Sequence, residues 1–233
     1  MPKKNKEKRK KLSHPLYVHD KPKSVASERF RGIRSNIMFS GVEEANSIIV
    51  TSEKPAAGKS IVSANIAITY AQAGYKTLII DGDMRKPTQH YVFETSNYDG
   101  LSNLIVGKSD FETAIRSTRV ENLDLLTSGP IPPNPSELIA SEKFENILND
   151  LFKYYDFILI DTPPVNTVTD AQVFMQYVKE CVLIIDVENN NKDELKKAKS
   201  LIEKAEGRLL GAVLNKTPVD KSSSYYYYYG EDE

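Results

Sequence analysis

Between residues 47 and 214 the sequence repeats one pattern, in which short apolar, β-branched runs alternate with longer segments of helical periodicity. Most of the short runs are apolar throughout rather than alternating, which is typical of strands buried on both faces of a parallel sheet. The pattern therefore predicts an α/β fold, doubly wound, with a mostly parallel sheet and helices on both faces. The predicted strands span residues 48–51, 77–81, 123–126, 157–161, 182–186 and 209–214.

Helix and loop signals lie around these runs. A helix is predicted over residues 26–39, and a second over residues 61–73, where apolar residues recur at helical spacing and Gly74 offers a C-terminal cap. The proline-rich residues 129–135 predict a stiff loop. This loop runs into a helix start with an N-cap, a first-turn proline and an N3 acid, supplied by Asn134, Pro135 and Glu137.

Composition restricts the class of protein. The 233 residues suffice for one well-buried domain, and 31 Lys and Arg against 32 Asp and Glu give no global electrostatic case for nucleic acid. No apolar segment approaches the roughly 20 residues that span a bilayer. Cys181 lies in an apolar run, which predicts a core strand and fits a reducing compartment. We therefore expect a cytoplasmic protein with one core.

The two ends differ in composition from the predicted domain at residues 21–216. Residues 1–20 are rich in lysine and have little to bury, which predicts a disordered basic leader, with weak attraction to an anionic membrane as the alternative. Residues 217–233 predict a flexible tail, because a run of five adjacent tyrosines has no periodicity that could bury the rings. The tyrosines could accept phosphate on their hydroxyls, or their rings could anchor the tail on a partner surface. They are Tyr225, Tyr226, Tyr227, Tyr228 and Tyr229.

A phosphate-binding loop is predicted at residues 52–60, between a predicted strand and a predicted helix. Backbone N–H groups and the positive end of the helix would converge there on a polyphosphate. Lys59 would neutralise the β- and γ-phosphates, and the Ser60 hydroxyl would complete a Mg²⁺ shell. Glu53 stands where the general pattern has its first glycine. The residues predicted to bind ATP in this loop are Lys54, Pro55, Ala56, Ala57, Gly58, Lys59, Ser60 and Ile61.

Three aspartates end or follow two of the predicted strands. Asp161 ends the apolar run 157–160, a position at the sheet edge that could hold Mg²⁺ through water. Asp81 and Asp83 could divide metal binding and the polarisation of an acceptor hydroxyl, and phosphoryl transfer asks for little more than such positioning and charge neutralisation. We therefore predict catalytic roles for Lys59, Asp81, Asp83 and Asp161, and a Mg²⁺ site formed by Ser60, Asp81 and Asp161.

Arg85 follows these acids in the segment Asp-Gly-Asp-Met-Arg-Lys-Pro at residues 81–87. A guanidinium suits a phosphate clamp, and spacing alone equally permits a surface charge. We include Arg85 among the predicted nucleotide-binding residues.

Together these motifs resemble those of the bacterial tyrosine kinases of capsule and exopolysaccharide synthesis. The resemblance rests on the variant Walker A loop at residues 52–60, the second Walker-like motif at residues 81–87 and the Walker B strand that ends in Asp-Thr-Pro-Pro at residues 161–164. Glu28, Arg31 and Arg34 match the Glu-x-x-Arg-x-x-Arg element of the family. The match covers about residues 20–230 and is most similar to the Gram-positive type, in which the kinase and its membrane-spanning activator are separate polypeptides.

The resemblance implies an ATP- and Mg²⁺-dependent protein-tyrosine autokinase that phosphorylates its C-terminal tyrosines in trans and regulates capsular polysaccharide synthesis. It implies an activator of the polysaccharide co-polymerase type, which recruits the kinase to the inner face of the cell membrane, and protein substrates of polysaccharide synthesis. It also implies an octameric ring with contacts through Glu28, Arg31 and Arg34, whose spacing alone equally fits a solvated helix face. Asn215 matches the position that recognises adenine in these folds.

Two departures from the family pattern, and one residue that is similar in a related family, leave two alternatives open. Ala56 stands where the family usually has glycine, so its Cβ would meet a positive φ or a close phosphate, and Ile61 offers no hydroxyl to an α-phosphate. One alternative is therefore a scaffold that holds nucleotide without turnover. Lys54, five positions before Lys59, is similar to the lysine that marks the ParA/MinD-type ATPases. The other alternative is a positioning ATPase of that type without kinase activity.

Overall fold

The computed structural model describes residues 16–40 and 45–218. Seven β-strands in this part of the chain form one sheet. In chain order they are β1 Ser47–Ser52, β2 Thr77–Asp81, β3 Ile115–Ser117, β4 Leu123–Leu126, β5 Phe157–Asp161, β6 Glu180–Asp186 and β7 Arg208–Asn215. Their order across the sheet is β3-β4-β2-β5-β1-β6-β7, so the strands that follow the P-loop and carry the acids lie at its centre.

The sheet is mostly parallel, as predicted. Every strand pair is parallel except β3 with β4. Strands β1, β2 and β5 are buried at every position, which explains why their sequences are apolar throughout rather than alternating. The sequence did not predict β3, because this edge strand has only three residues, two of which are the polar Arg116 and Ser117.

The helices lie between the strands along the chain. The two helices whose bounds were predicted, at residues 26–39 and 61–73, are found at Val25–Met38 and Lys59–Gln72. The full set is α1 Tyr17–Asp20, α2 Val25–Met38, α3 Lys59–Gln72, α4 Gln89–Val92, α5 Leu101–Ile105, α6 Phe111–Ala114, α7 Pro135–Ile139, α8 Glu142–Leu151, α9 Asp170–Phe174 and α10 Lys192–Lys204. No helix in the described part of the chain is both long and apolar enough to cross a membrane.

Two apolar cores cover the two faces of the sheet. On one face, α2 and α3 contribute Ile37 and Ile66 to a core that includes Ile48 of β1. On the other face, α8 and α9 contribute Phe144 and Phe174, which pack edge to face with ring centroids 5.4 Å apart. Each fully buried side chain of this size stabilises the fold by about 1.5–3 kcal/mol. The predicted layering, with helices on both faces of the sheet, is confirmed.

The packed part of the chain begins earlier than predicted. Leu16 and Val18 are fully buried, and the Val18 N–H donates to Asn65 Oδ1 of α3 over 3.0 Å. The prediction of a disordered leader was therefore wrong for residues 16–20, because two apolar side chains are enough to dock this turn on α3. Residues 1–15 and the tyrosines at 225–229 lie outside the described residues.

The predicted helix start after the proline-rich loop is confirmed, with a different contact at its cap. Asn134 occupies the N-cap of α7 and Pro135 the first turn. The Asn134 side chain does not cap a backbone N–H, and its amide donates to the Glu137 carboxylate instead. The short α7 thus begins where the sequence indicates, next to the site described below.

Candidate active site

The loop between β1 and α3 has a left-handed backbone at two positions. Gly58 forms the N-cap of α3 with φ of 87°, and a Cβ at this position would come within 2.1 Å of Asn215 Nδ2. Ala56 also has a positive φ, of 62°. The expectation that position 56 needs a left-handed backbone is therefore confirmed, and the alanine adopts it at a cost on the order of 1 kcal/mol.

The end of β7 holds this loop from the other side. The Asn215 amide donates to the Ala57 carbonyl over 2.8 Å. Lys216 Nζ donates to the Ala56 carbonyl over 3.0 Å and pairs with Asp186 Oδ2 over 2.9 Å. Asn215, predicted to recognise adenine, thus lies against the loop predicted to hold the phosphates.

Strand register brings two of the predicted acids together. Asp81 at the end of β2 lies directly opposite Asp161 at the end of β5, and both are fully buried. Gly82 allows this close approach: its N–H donates to the Asp161 carbonyl over 2.8 Å, and a Cβ there would come within 3.0 Å of that oxygen. The sheet edge therefore places both carboxylates beside the start of α3.

Asp161 is the centre of a buried polar network. Its Oδ1 accepts an ionic hydrogen bond from Lys59 Nζ over 2.8 Å and a weaker one from Ser63 Oγ over 3.3 Å. Its Oδ2 accepts from Gln89 Nε2 over 2.7 Å. A buried carboxylate persists only when it is paired and hydrogen-bonded, and here Lys59 and Gln89 meet that requirement.

Asp81 and Asp83 differ in the number of backbone N–H groups that donate to their carboxylates. Asp81 Oδ2 accepts from the N–H groups of Thr88 and Gln89, each over 2.9 Å, and its Oδ1 accepts from the Asp83 N–H over 3.3 Å. Asp83 Oδ1 accepts from the Lys86 N–H over 3.0 Å. Asp81 therefore fixes the loop at residues 82–88, and this loop carries Asp83 to the rim of the site.

Burial and mutual repulsion set the protonation of these groups. Burial, followed by the charge of Asp161, raises the pKa of Asp81, and burial raises the pKa of Asp83 despite the charge of Lys59. Burial opposes the charge on Lys59, but the charge and hydrogen bond of Asp161 outweigh it, so the pKa of Lys59 lies above its usual value. A cation beside these carboxylates would lower their pKa values by the same electrostatics.

The donor set fits Mg²⁺ bound together with a nucleotide. In the part of the chain that the structure describes, no three acidic, His or Cys side chains are grouped closely enough to hold a metal ion by themselves. Mg²⁺ commonly binds through one or two carboxylates, phosphate oxygens and retained waters rather than in a protein cage. Ser60 Oγ lies 3.4 Å from Lys59 Nζ, on the same side as Asp161, which suits that arrangement.

Arg85 forms an ion pair with an aspartate of α9. Its Nε and Nη2 form a bidentate pair with Asp170, over 2.8 and 3.0 Å, and Nη2 also lies 3.2 Å from Ser136 Oγ. Asp170 is fully buried at the start of α9. Arg85 therefore pairs with a buried carboxylate in this structure, and its role as a phosphate clamp stays a prediction.

Lys54 and Glu53 sit at the start of the loop. Lys54 Nζ is 4.0 Å from Glu53 Oε1, within reach of a weak ion pair. Both Glu53 carboxylate oxygens are buried without a hydrogen-bond partner in the described structure. The residue that replaces the first glycine of the motif is therefore buried.

The residues predicted to form a subunit contact lie on α2 and already make contacts within the chain. Glu28 pairs with Arg31, which also donates to the Pro22 carbonyl over 2.7 Å. Arg34 Nη1 donates to the Thr69 carbonyl of α3 over 2.5 Å. Arg34 thus ties α2 to α3, while Glu28 remains largely exposed.

Sequence reasoning missed Ser63 of α3, and it also missed three residues that follow strand ends, namely Gln89, Asp170 and Lys216. Gln89 and Asp170 begin short helices, and Lys216 follows β7 directly. Their positions after strand ends at the carboxyl edge of the sheet were the signal that could have found them, because sites of doubly wound folds lie at that edge.

The chain is similar over most of its length to known proteins. The family model of the AAA domain matches residues 45–209. A Staphylococcus aureus protein provisionally named tyrosine-protein kinase CapB is 70% identical over 226 residues, which are 97% of this chain and 99% of that protein. Similarity over nearly the full length covers the P-loop, the acids and the strands that position them.

The chain is also similar to solved structures, among them tyrosine kinase domains. The crystal structure of the chimeric protein CapA2B2 is 59% identical with a TM-score of 0.85, covering 87% of this chain and 90% of that one. The kinase domain of the Escherichia coli tyrosine kinase ETK is 32% identical with a TM-score of 0.84, covering 91% and 83%. The septum site-determining protein MinD of Pyrococcus horikoshii, solved with Mg-ADP, is 27% identical with a TM-score of 0.60, covering 72% and 69%. The similarity to kinases thus exceeds the similarity to this MinD in both sequence and structure.

Proposed function

Because this chain belongs to the bacterial tyrosine-protein kinases with a P-loop AAA domain, we propose that it transfers the γ-phosphoryl group of Mg·ATP to the tyrosines of its own C-terminal tail. The observation that carries this proposal is the convergence of Lys59, Asp81 and Asp161 at the N-terminus of α3. A cation, two carboxylates and a helix N-terminus are the parts that phosphoryl transfer requires.

Each residue of the site has a distinct task in this proposal. Lys59 leaves Asp161 and neutralises the phosphates, which Mg²⁺ also neutralises when bound. Ser60 and Asp161 would hold the metal, and Asp81 would complete the site while it fixes the loop at residues 82–88. Asp83, which the backbone engages less fully than Asp81, orients the attacking tyrosine hydroxyl. Asn215 would contact the adenine from the end of β7, where its amide lies against the loop.

The last described strand, β7, ends beside the proposed nucleotide loop. Asn215 lies against the nucleotide loop, so the tail leaves the domain beside the site. The stretch from residue 215 to 225 can extend on the order of 33 Å, enough to enter the site of a neighbouring subunit. Each added phosphate brings about −1.5 to −2 charges, so successive phosphates on one tail repel each other.

The proposal extends to partners. We expect a membrane-spanning activator of the polysaccharide co-polymerase type, which recruits this cytoplasmic kinase to the inner face of the membrane and links it to protein substrates of capsular polysaccharide synthesis. The CapA2B2 chimera, whose name joins two components, supports such a partner. A ring of eight subunits, with Glu28, Arg31 and Arg34 of α2 at its contacts, would bring each tail to its neighbour.

The test compares a site variant with a control variant in an assay with radioactive ATP. Lys59→Met removes the phosphate-binding cation but keeps the tail, and the control Lys153→Met removes an exposed lysine that pairs only with Asp150 at the surface. We expect phosphotyrosine to be abolished in Lys59→Met, and unchanged in Lys153→Met, both assayed with activator peptide. Label on purified Lys59→Met would contradict the proposal.

Mixing the variants tests transfer between subunits. Lys59→Met is incubated with a second variant in which the five tail tyrosines are phenylalanine and the site is intact. We expect phosphate on the tail of Lys59→Met, mapped by mass spectrometry to residues 225–229. ATP hydrolysis without any phosphotyrosine would instead support a positioning ATPase, and nucleotide binding without turnover a scaffold.

A further inference from the structure

Gln89 contacts all three residues that we propose to hold magnesium. It is fully buried at the start of α4. Its Nε2 donates to Asp161 Oδ2 over 2.7 Å and to the Ser60 carbonyl over 3.1 Å, and its backbone N–H donates to Asp81 Oδ2 over 2.9 Å. The side chain of Gln89 thus links β5 and α3, and its backbone N–H adds β2 at the point where the three elements meet.

The contacts fix the orientation of the Gln89 amide. Both groups that face Nε2 are acceptors, a carboxylate oxygen and a carbonyl oxygen, so the nitrogen must point toward them. The opposite atom, Gln89 Oε1, is buried and has no hydrogen-bond partner in the described structure. An unpaired buried acceptor costs free energy, so a fully buried Gln at this position indicates a donor that arrives with a ligand.

Lys59 and Gln89 are the two strong partners of Asp161, and only Gln89 can stay there when a phosphate binds. Lys59 must leave Asp161 to reach a phosphate, and then only Ser63, over 3.3 Å, and Gln89 remain to hold the carboxylate. The bond from Gln89 is the shorter of these two, and it is charge-assisted, which makes it stronger than a neutral bond. Gln89 is therefore the contact that can keep Asp161 in place once Lys59 has moved.

We propose that Gln89 is a positioning residue of the magnesium site: Nε2 orients Asp161, and Oε1 accepts a hydrogen bond from a water in the Mg²⁺ shell. This inference rests on the proposed Mg·ATP site. Both ends of the buried amide would then have a hydrogen-bond partner, because magnesium keeps several waters and their hydrogens need acceptors.

The test measures the magnesium dependence of nucleotide binding rather than turnover. Gln89→Met keeps the volume but removes both hydrogen-bonding ends. The affinity for a fluorescent ADP analogue is titrated in EDTA and again in excess Mg²⁺, for wild type, Gln89→Met and the control Gln176→Met, whose side chain bonds the Ala205 carbonyl far from the loop. We expect Gln89→Met to retain its affinity in EDTA within about twofold and to lose about tenfold or more of the gain from Mg²⁺.

Two outcomes would overturn the inference. The first is an unchanged ratio of the two affinities in Gln89→Met, and the second is an equal loss with and without Mg²⁺, which would assign Gln89 to the fold of the loop alone. If Gln89→Met fails to fold, Gln89→Asn serves the same test, because it keeps the amide but withdraws it by one methylene. Wild-type protein that binds no nucleotide would contradict the proposed function itself, a result distinct from either of these.

Discussion

Lys216 Nζ donates to the carbonyl oxygen of Ala56 over 3.0 Å, across 160 positions of sequence. The same ammonium pairs with Asp186 at the end of β6, so it links the end of the sheet to the turn of the nucleotide loop. Ala56 is the loop residue with the left-handed backbone that glycine adopts without strain. The contact therefore holds in place a turn that the local sequence disfavours.

Ala56→Gly is expected to leave stability unchanged or to raise it by up to about 1 kcal/mol. Removing the Cβ relieves the cost of a positive φ, and this gain offsets the larger backbone entropy of glycine in the unfolded chain. Urea unfolding measures the effect. The matched control is Ala73→Gly, because Ala73 is exposed like Ala56 but has φ of −86°. The control should lose about 0.4–1 kcal/mol, because glycine has more conformational freedom in the unfolded chain. Equal losses in the two variants would show that Ala56 is not strained.

Cys181 is expected to be inert while the protein is folded. It is fully buried in β6, and burial raises the pKa of its thiol to about 12. The thiolate is the reactive species, so at pH 8 the reaction with Ellman's reagent should be slower than that of an ordinary thiol by on the order of a thousandfold. Because this is the single cysteine of the chain, the colour reports on one site. Addition of guanidinium should restore one reactive thiol, and rapid reaction without denaturant would contradict the burial of β6.

Glu53→Gln is expected to stabilise the protein at neutral pH and to have little effect at acidic pH. Burial raises the pKa of Glu53 above its usual value, and nearby Asp186 and Glu194 add to the rise, while Lys54 opposes it. The folded state then holds the proton more tightly than the unfolded state, so the free energy of unfolding falls as pH rises from the unfolded pKa to the folded one. Glutamine carries no charge and escapes this loss, for a gain on the order of 1 kcal/mol.

The measurement is urea unfolding of wild type and Glu53→Gln between pH 4.5 and 8. The stability difference should grow with pH and level off above the pKa of the folded state. Glu121→Gln is the control, since Glu121 is exposed in a surface turn. A difference that shrinks with rising pH would mean that Glu53 is stabilised in its charged form.

Local sequence predicted the elements of this fold because their signals are short-range. Strand β5 and its final Asp161 follow from five consecutive residues, and the parallel register then sets Asp161 beside Asp81 without further information. The strand–loop–helix order likewise predicted the place of Lys59. These parts of the site depend on strand ends alone, which a doubly wound sheet always gathers at one edge.

The remaining contacts join residues that no local pattern connects. Lys216 reaches Ala56 across 160 positions, and Arg85 reaches Asp170 across 85. Gln89 lies 72 positions from Asp161 and looks in the sequence like any polar residue at a helix start. Such partners are chosen by tertiary packing, in which a buried charge takes the nearest group that can pair with it, so the sequence predicted the strand ends but not the bonds between them.

Arg85→Met is expected to lower stability by about 2 kcal/mol, because it leaves the fully buried Asp170 with no cation. The pair is bidentate and joins the loop after β2 to α9, although the Arg85 side chain is 41% exposed, which moderates the loss. The control is Arg119→Met, which breaks a single-contact pair with Asp20 in which both side chains are exposed and should cost less than about 1 kcal/mol.

Thermal unfolding and the affinity for the fluorescent ADP analogue, measured on the same two variants, separate the two roles that Arg85 can have. A lower melting temperature with ADP affinity close to that of wild type assigns Arg85 to the ion pair with Asp170. An unchanged melting temperature with a large loss of ADP affinity would instead support the phosphate clamp. It would mean that Arg85 can leave Asp170, which it contacts over 2.8 Å, with little loss of stability.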